Sequence, residues 1–199
     1  MSLLEDPRDF DSQYTRDTPP WEIAAPQPCV VDAYEAGLLT GGLLDIGCGT
    51  GQNAVWLAGS GVDVTGMDIS RIAIDRARKL ALEKGVAADF VIGSALNFSP
   101  STRYQTLMDS AVFHIFPDDE QERYLEGAKR ILAPGGSFVG FCFSEKEPDG
   151  WGPRRLSEEQ LRARFENGWS LESLERVFFK LNRNEPVHAW RWLARAKSS

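Results

Sequence analysis

The residues with the clearest chemical use are Leu44-Asp45-Ile46-Gly47-Cys48-Gly49-Thr50-Gly51. Glycines at alternate positions let backbone approach a ligand, and the free N–H groups of a following helix attract negative or polar groups. Asp45 stands two residues before the first glycine and adds a carboxylate at the base of the loop. The dinucleotide fingerprint G-x-G-x-x-G requires a third glycine at position 52, where this chain has Gln52. The spacing here is instead G-x-G-x-G. Further on, Val64-Thr65-Gly66-Met67-Asp68 puts an acid at the end of a strand, followed by Ile69. A carboxylate there can accept both ribose hydroxyls of an adenosyl ligand, through charge-assisted bonds worth about 1.5–3 kcal/mol each. Dinucleotide enzymes use the same arrangement, so Asp68 indicates adenosine without choosing between cofactors.

Other polar residues are open to more than one use. Gly93-Ser94-Ala95 offers only the neutral hydroxyl of Ser94 beside that adenosine position. Trp151, Arg154 and Arg155 share a long loop, 144–156, and could orient an anionic or aromatic ligand or form a solvated pair. Cys29, Cys48 and Cys142 are odd in number, contain no CxxC pair and have two histidines for company, which argues against a zinc site or a disulfide framework. Cys48 reads as a small packing residue, and no metal ligand set is expected.

These residues are framed by alternating strand and helix patterns. Residues 1–20 are polar, end in Pro19-Pro20 and read as an irregular arm. A short helix from about 27 carries Val30, Val31, Ala33, Tyr34 and Leu38 and is broken by Gly41-Gly42. Strands are predicted at 43–46, 62–67, 90–92, 105–112 and 136–143, with helices at 51–58 and from Ser70 to the stop at Gly85. Pro117, followed by three acids, starts another helix, and Ser157-Glu158-Glu159-Gln160 matches a capping box. Leu132-Ala133-Pro134-Gly135-Gly136 reads as a helix stop and turn. The runs 170–181 and 187–196 have no helix-length segment between them and should pair antiparallel, with His188 structural in that hairpin. The expectation is an α/β fold, a doubly wound, mostly parallel seven-stranded sheet with helices on both faces and a reversed C-terminal strand.

Composition limits the function. The chain has 199 residues with 22 Lys+Arg against 29 Asp+Glu, a net charge of −7, and 42% hydrophobic residues. That is one globular domain, without the basic face that phosphate binding needs. No apolar run approaches a membrane span, and the first residues lack a basic and apolar leader pattern, so a cytoplasmic protein is expected.

The acid followed by G-x-G-x-G, then Asp68 after the second strand, resembles the class I S-adenosylmethionine-dependent methyltransferases, with their Rossmann-like fold. Leu132 to Gly136 also resembles their pattern before the fifth strand. The resemblance implies S-adenosyl-L-methionine as cofactor, held by Asp45, Gly47, Cys48, Gly49, Thr50, Gly51, Asp68, Ile69, Ser94, Ala95, Asp109 and Ser110. Pro20-Trp21-Glu22 followed by Pro26-Gln27-Pro28, with Asp109-Ser110 and Gly152-Pro153, is similar to the thiopurine and thiol/halide methyltransferase group. There, a tryptophan at the place of Trp21 covers the cofactor, which implies an arm and lid over 1–25 and one methyltransferase domain over 26–199. Two departures leave the acceptor open: Ala24 stands where a glycine is usual, and Ser110 where several thiol/halide members have tyrosine. Leu107-Met108-Asp109-Ser110 lacks the (D/N)-P-P-(Y/F) tetrapeptide of nucleic-acid amino methylation. The expected acceptor is a small molecule, thiol or hydroxyl or heteroatom of an aromatic or heterocycle, without nucleic acid or membrane, on a monomer or weak dimer. His114, just past the fourth strand, is the expected catalytic base. Alternatives are a non-catalytic or regulatory S-adenosylmethionine-binding protein and an NAD-dependent oxidoreductase, the latter disfavoured by Gln52.

Overall fold

A computed structural model describes residues 9–16, 18–98, 101–148, 150–183 and 185–197. Residues 1–8 and 17 of the expected arm lie outside the described residues. Seven strands, β1 (Gly42–Ile46), β2 (Asp63–Asp68), β3 (Asp89–Ile92), β4 (Tyr104–Ser110), β5 (Leu132–Phe143), β6 (Trp169–Phe179) and β7 (Val187–Ala196), form one sheet in the order β3-β2-β1-β4-β5-β7-β6. The β1–β2, β1–β4, β2–β3 and β4–β5 pairs are parallel, and β7 runs antiparallel to both β5 and β6. Strand order reverses between β1 and β4, which opens a crevice beyond their C-terminal ends.

Helices cover both faces. On one, α2 (Pro28–Glu35), α3 (Gln52–Gly59) and α4 (Arg71–Lys84) place Val30, Leu57 and Ile74 against Leu43, Val64, Met108 and Val139. On the other, α5 (Asp118–Ile131) and α6 (Glu158–Arg164) place Tyr124, Ala128 and Leu161 against Leu44, Ile46, Leu107 and Phe138. Strands buried on both sides read as continuous apolar runs for this reason. The helix boundaries are local chemistry. Ser70 accepts from Ala73 N–H at 3.1 Å to start α4, and Gly85 ends it at φ 66°. Ser157 and Gln160 make the reciprocal capping box of α6. In the reversed strand, the fully buried Trp192 pairs opposite Gly140 and lies across it, in space a Cβ would fill.

Three expectations are corrected. The segment expected to be irregular contains a helix, α1 (Phe10–Arg16), because Asp11 accepts from Ser70 Oγ at 2.5 Å and Arg76 donates to the Tyr14 carbonyl at 2.8 Å. Helix α2 ends at Glu35, and Leu38 lies beyond it, after Gly37 at φ 73°. β5 begins at Leu132 rather than 136: Tyr104 pairs Leu132, Thr106 pairs Ser137, and the irregularity between them absorbs the turn residues.

Candidate functional site

The glycine loop sits between β1 and α3, at the crevice. Cys48 N–H donates to the Met67 carbonyl at 2.9 Å and Gly51 N–H to the Cys48 carbonyl at 3.0 Å, which closes the loop tightly. Gly49 has φ 54°, and a Cβ there would meet Tyr14 Oη at 2.9 Å. Gly51, at φ 83°, is the N-cap of α3. Glycine at these two positions is thus required both by backbone angle and by space.

Four acids surround the loop, in different states. Asp68 accepts from Gly49 N–H at 2.9 Å and from Ser70 N–H at 2.8 Å, so its carboxylate is held against the loop. Burial raises its pKa, and those amide bonds oppose the rise. Asp45 is fully buried and neither carboxylate oxygen has a hydrogen-bond partner. Burial pushes its pKa up to about 8, helped by the charges of Asp109 and then Asp68. Asp109 is equally buried but fully engaged, accepting from Tyr124 Oη at 2.6 Å, Phe113 N–H at 2.9 Å and Val112 N–H at 2.7 Å. Burial lifts it to about 7 against those bonds. Its carboxylate therefore caps the turn after β4 and is not available to a ligand, although the sequence pointed to Asp109 as a cofactor contact. Glu22, the fourth, accepts from Thr50 Oγ at 2.6 Å and ties the arm to the loop.

The other expected residues are distributed around this centre. Trp21 donates through Nε1 to Tyr14 Oη at 3.1 Å and packs edge-on against Phe10 and Tyr14, so it reaches the glycine loop through Tyr14. Ile69 is 57% exposed, an apolar side chain left uncovered beside Asp68. Ser94 and Ala95 follow β3, with Ser94 Oγ accepting from Leu96 N–H at 3.2 Å. Ser110 closes β4, and Ala111 beyond it adopts φ 74° while donating to the Phe141 carbonyl at 3.0 Å. Burial raises the Cys48 thiol well above its ordinary range, which agrees with a packing role.

His114 departs from its expected role. It is fully buried in the short 3-10 turn Phe113–Ile115, and its Nδ1 accepts from Phe143 N–H at 2.9 Å. An amide donor at Nδ1 leaves the ring proton on Nε2, which is buried and unpartnered. Burial pushes its pKa down to about 3. In this arrangement the Nδ1 lone pair is taken by Phe143 N–H, and the rest of the buried ring faces the Ala111 and Arg154 backbone.

The 144–156 loop is held at its ends, Ser144 N–H donating to the His188 carbonyl at 2.9 Å and Leu156 N–H to the Phe143 carbonyl at 3.0 Å. Its arginines are occupied internally. Arg154 bonds the Phe116 carbonyl and pairs with Asp118 at 2.7 Å. Arg155 folds the loop on itself through the Pro153 and Pro148 carbonyls at 2.7 and 2.6 Å. Three residues that sequence reasoning passed over complete the region: Tyr14 on the glycine loop, Glu147 at 6% exposure under the long loop, and Arg183, whose guanidinium lies 3.7 Å from the centre of the Trp151 ring. Their only sequence signal was type, an aromatic in the arm and charges near Trp151; the contacts come from tertiary folding.

Comparison with known proteins agrees with this geometry. A family model described as Methyltransferase domain matches residues 43–136. A 2-heptyl-1-hydroxyquinolin-4(1H)-one methyltransferase from Mycobacteroides abscessus is 32% identical over 176 residues, covering 83% of this chain and 78% of that protein. A probable thiol methyltransferase from Arabidopsis thaliana is 28% identical over 141 residues, which is 69% of this chain and 62% of its own length. A solved structure concerned with conversion of a disulfide bond into a thioacetal group during echinomycin biosynthesis superposes with a TM-score of 0.87 at 32% identity, over 94% of this chain and 91% of its own. The magnesium protoporphyrin IX methyltransferase of Synechocystis PCC 6803 shares the fold, at TM-score 0.66 and 20% identity over 85% of this chain and 80% of its own. The chain belongs to the class I S-adenosylmethionine-dependent methyltransferases.

Proposed function

We propose that the protein transfers the methyl group of S-adenosylmethionine directly, in line, to a small-molecule acceptor, a thiol or a hydroxyl or heteroatom of an aromatic or heterocycle. The observation that carries this reading is Asp45, a buried carboxylate with no partner beside a loop that excludes side chains. Such an oxygen pair fits the α-ammonium of the cofactor's methionine part, which supplies the missing counter-charge. Asp68 takes the ribose hydroxyls, and Ile69, Ser94 and Ala95 line the adenine. Gly47, Cys48, Gly49, Thr50 and Gly51 contribute backbone, as do Asp109 and Ser110. Trp21, with Tyr14, closes the 1–25 arm over the domain formed by 26–199.

The sulfonium supplies an activated methyl group when the cofactor is bound. The protein's own part is to hold the acceptor in line and to exclude water. His114 enters as a hydrogen-bond donor through Nε2 rather than as a base. The relatives named for a hydroxyquinolinone and a thiol support a small acceptor, as does the net charge of −7. Among the described residues no helix is long and apolar enough to cross a membrane. We read the protein as a cytoplasmic monomer or weak dimer that binds no nucleic acid.

Titration calorimetry with S-adenosylhomocysteine tests the cofactor site. The reading predicts one-site binding that Asp68→Ala weakens at least about tenfold, the equivalent of one charge-assisted hydrogen bond. No binding at high micromolar ligand, or binding indifferent to Asp68→Ala, contradicts it.

A further inference from the structure

Pro19 and Pro20 carry no N–H, so this stretch of the arm builds no helix or ladder and its carbonyls need donors from elsewhere. Glu22 N–H reaches the Pro19 carbonyl at 2.9 Å. The other donors come from one residue in the connector between β6 and β7. Asn182 donates its backbone N–H to the Pro20 carbonyl at 2.8 Å. Its Nδ2 donates to the Pro19 carbonyl at 3.1 Å and to the Thr18 carbonyl at 3.4 Å. At the far end of the same stretch, the Gln27 side chain accepts from Lys180 N–H at 3.0 Å and donates to the Lys180 carbonyl at 2.9 Å. Leu181, between these two points, is buried in the core. The part of the arm that carries Trp21 and Glu22 is thus seated at both ends on residues 180–182, while Glu22 meets Thr50 of the glycine loop at 2.6 Å.

The next residue holds a different segment. The Arg183 guanidinium covers the Trp151 ring at 3.7 Å and donates to Glu147 at 2.9 Å. Glu147 is buried and also accepts from His188 N–H of β7 at 3.2 Å, so the 144–156 loop is pinned where Arg183 meets it. Asn182 and Arg183 are separated by one planar peptide unit, and the buried Leu181 fixes the chain just before them. A displacement of one therefore carries the other. The arm and the 144–156 loop do not need to touch to sense each other, because both are bonded to this short stretch of backbone.

We propose that residues 180–183 form a strap that couples the cofactor-covering arm to the 144–156 loop, with Asn182 as the positioning residue for the arm and Arg183 as the contact to the loop. The proposal rests on the methyltransferase reading above, since it needs a cofactor beneath the arm. A cofactor that binds the closed arm better than the open one shifts the arm towards closure. The closed arm presents its three carbonyls to Asn182, and the connector so held keeps Arg183 on Trp151. Coupling of this kind is reciprocal, so loosening the strap also loosens the cofactor.

The test is amide hydrogen exchange on the full chain with and without S-adenosylhomocysteine, joined to stopped-flow measurement of ligand release. In wild type the ligand should slow exchange at the glycine loop (47–51), in the arm (21–25) and in the loop residues 151–156. Asn182→Ala should keep the slowing at 47–51, lose it at 151–156, and release the ligand about threefold to tenfold faster, the equivalent of one or two neutral hydrogen bonds. Asn182→Asp keeps the shape and the backbone N–H but turns a carboxylate towards carbonyl oxygens, so its release should be faster still. Arg183→Ala should lose the slowing at 151–156 and retain it at 21–25, which a general loss of stability would not do. Ligand-induced slowing at 151–156 that survives in Asn182→Ala, or release from Asn182→Asp as slow as from wild type, overturns the proposal. Failure of the broader reading looks different, because S-adenosylhomocysteine would then leave exchange at 47–51 unchanged in wild type itself.

Discussion

Asp45 and Asp109 lie buried at the ends of adjacent strands, one residue apart in register, yet Asp109 receives three hydrogen bonds and Asp45 none. The difference divides their work. Asp109 shapes the turn that carries His114, and Asp45 keeps an unmet demand for a cation.

That demand makes the empty protein pH-sensitive. Asp45 has a folded pKa of about 8 against an ordinary value of 3.8, so the native state holds a proton that the unfolded chain has lost. Its contribution to stability therefore falls as pH rises from about 4 through 8. Asp45→Asn should remove this dependence and stabilise the cofactor-free protein at pH 8 by about 1–3 kcal/mol. The same variant should bind S-adenosylhomocysteine at least about tenfold more weakly. Thermal melts from pH 5 to 8.5 and calorimetry check both halves. In wild type, calorimetry in buffers of different ionisation enthalpy should register release of about one proton on binding, since an ammonium partner favours the carboxylate.

His114 shifts the other way. Its folded pKa is about 3, below the ordinary 6.5, so the unfolded chain takes up a proton that the native state refuses. Its contribution is complete above pH 6.5 and is lost as pH falls towards 3, at about 1.4 kcal/mol per pH unit. Chemical denaturation of wild type and His114→Gln between pH 4 and 7 should show a shallower decline in the variant. The kcat profile of wild type should carry no inflection near 6.5. An inflection there that vanishes in His114→Gln would restore a proton-transfer role.

The arm is tied down at identifiable points. Tyr14 Oη accepts from Trp21 Nε1, and Tyr14→Phe leaves that indole N–H without its partner. Limited proteolysis should then cut the arm faster in the variant, and S-adenosylhomocysteine should protect it less. Equal cleavage rates with ligand would separate the arm from the cofactor.

Ala24 sits at φ 52°, a left-handed conformation that costs a residue with a Cβ about 1–2 kcal/mol. Ala24→Gly should stabilise the protein by roughly 0.5–1 kcal/mol after the added flexibility of the unfolded chain is subtracted. Denaturant midpoints at constant m-value measure it.

What could be read from the chain, and what could not, follows from the range of the interactions. The glycine loop, the caps at Ser70 and Ser157, and the antiparallel end strands are set by residues within a few positions of each other, and they are present as expected. Helix α1 was missed because seven residues are too few to be helical alone, and it exists through Asp11–Ser70 and Tyr14–Arg76. The state of His114 depends on the approach of Phe143, 29 residues away, and the Arg183–Trp151 stack joins segments that no local pattern connects. Acid identity at 45, 68 and 109 was legible. Which of the three is free was not, because that depends on whether Tyr124 or a loop amide reaches each carboxylate.

The central claim is methyl transfer through the Asp45 and Asp68 site, and acceptor-dependent release of S-adenosylhomocysteine tests it most directly. Wild-type protein supplied with S-adenosylmethionine and a panel of thiols, phenols and hydroxy-heterocycles should release S-adenosylhomocysteine in proportion to methylated product, and Asp68→Ala should lose at least about tenfold in kcat/KM. Tight binding of the cofactor with no acceptor-dependent release across the panel, or release indifferent to Asp68→Ala, would contradict it.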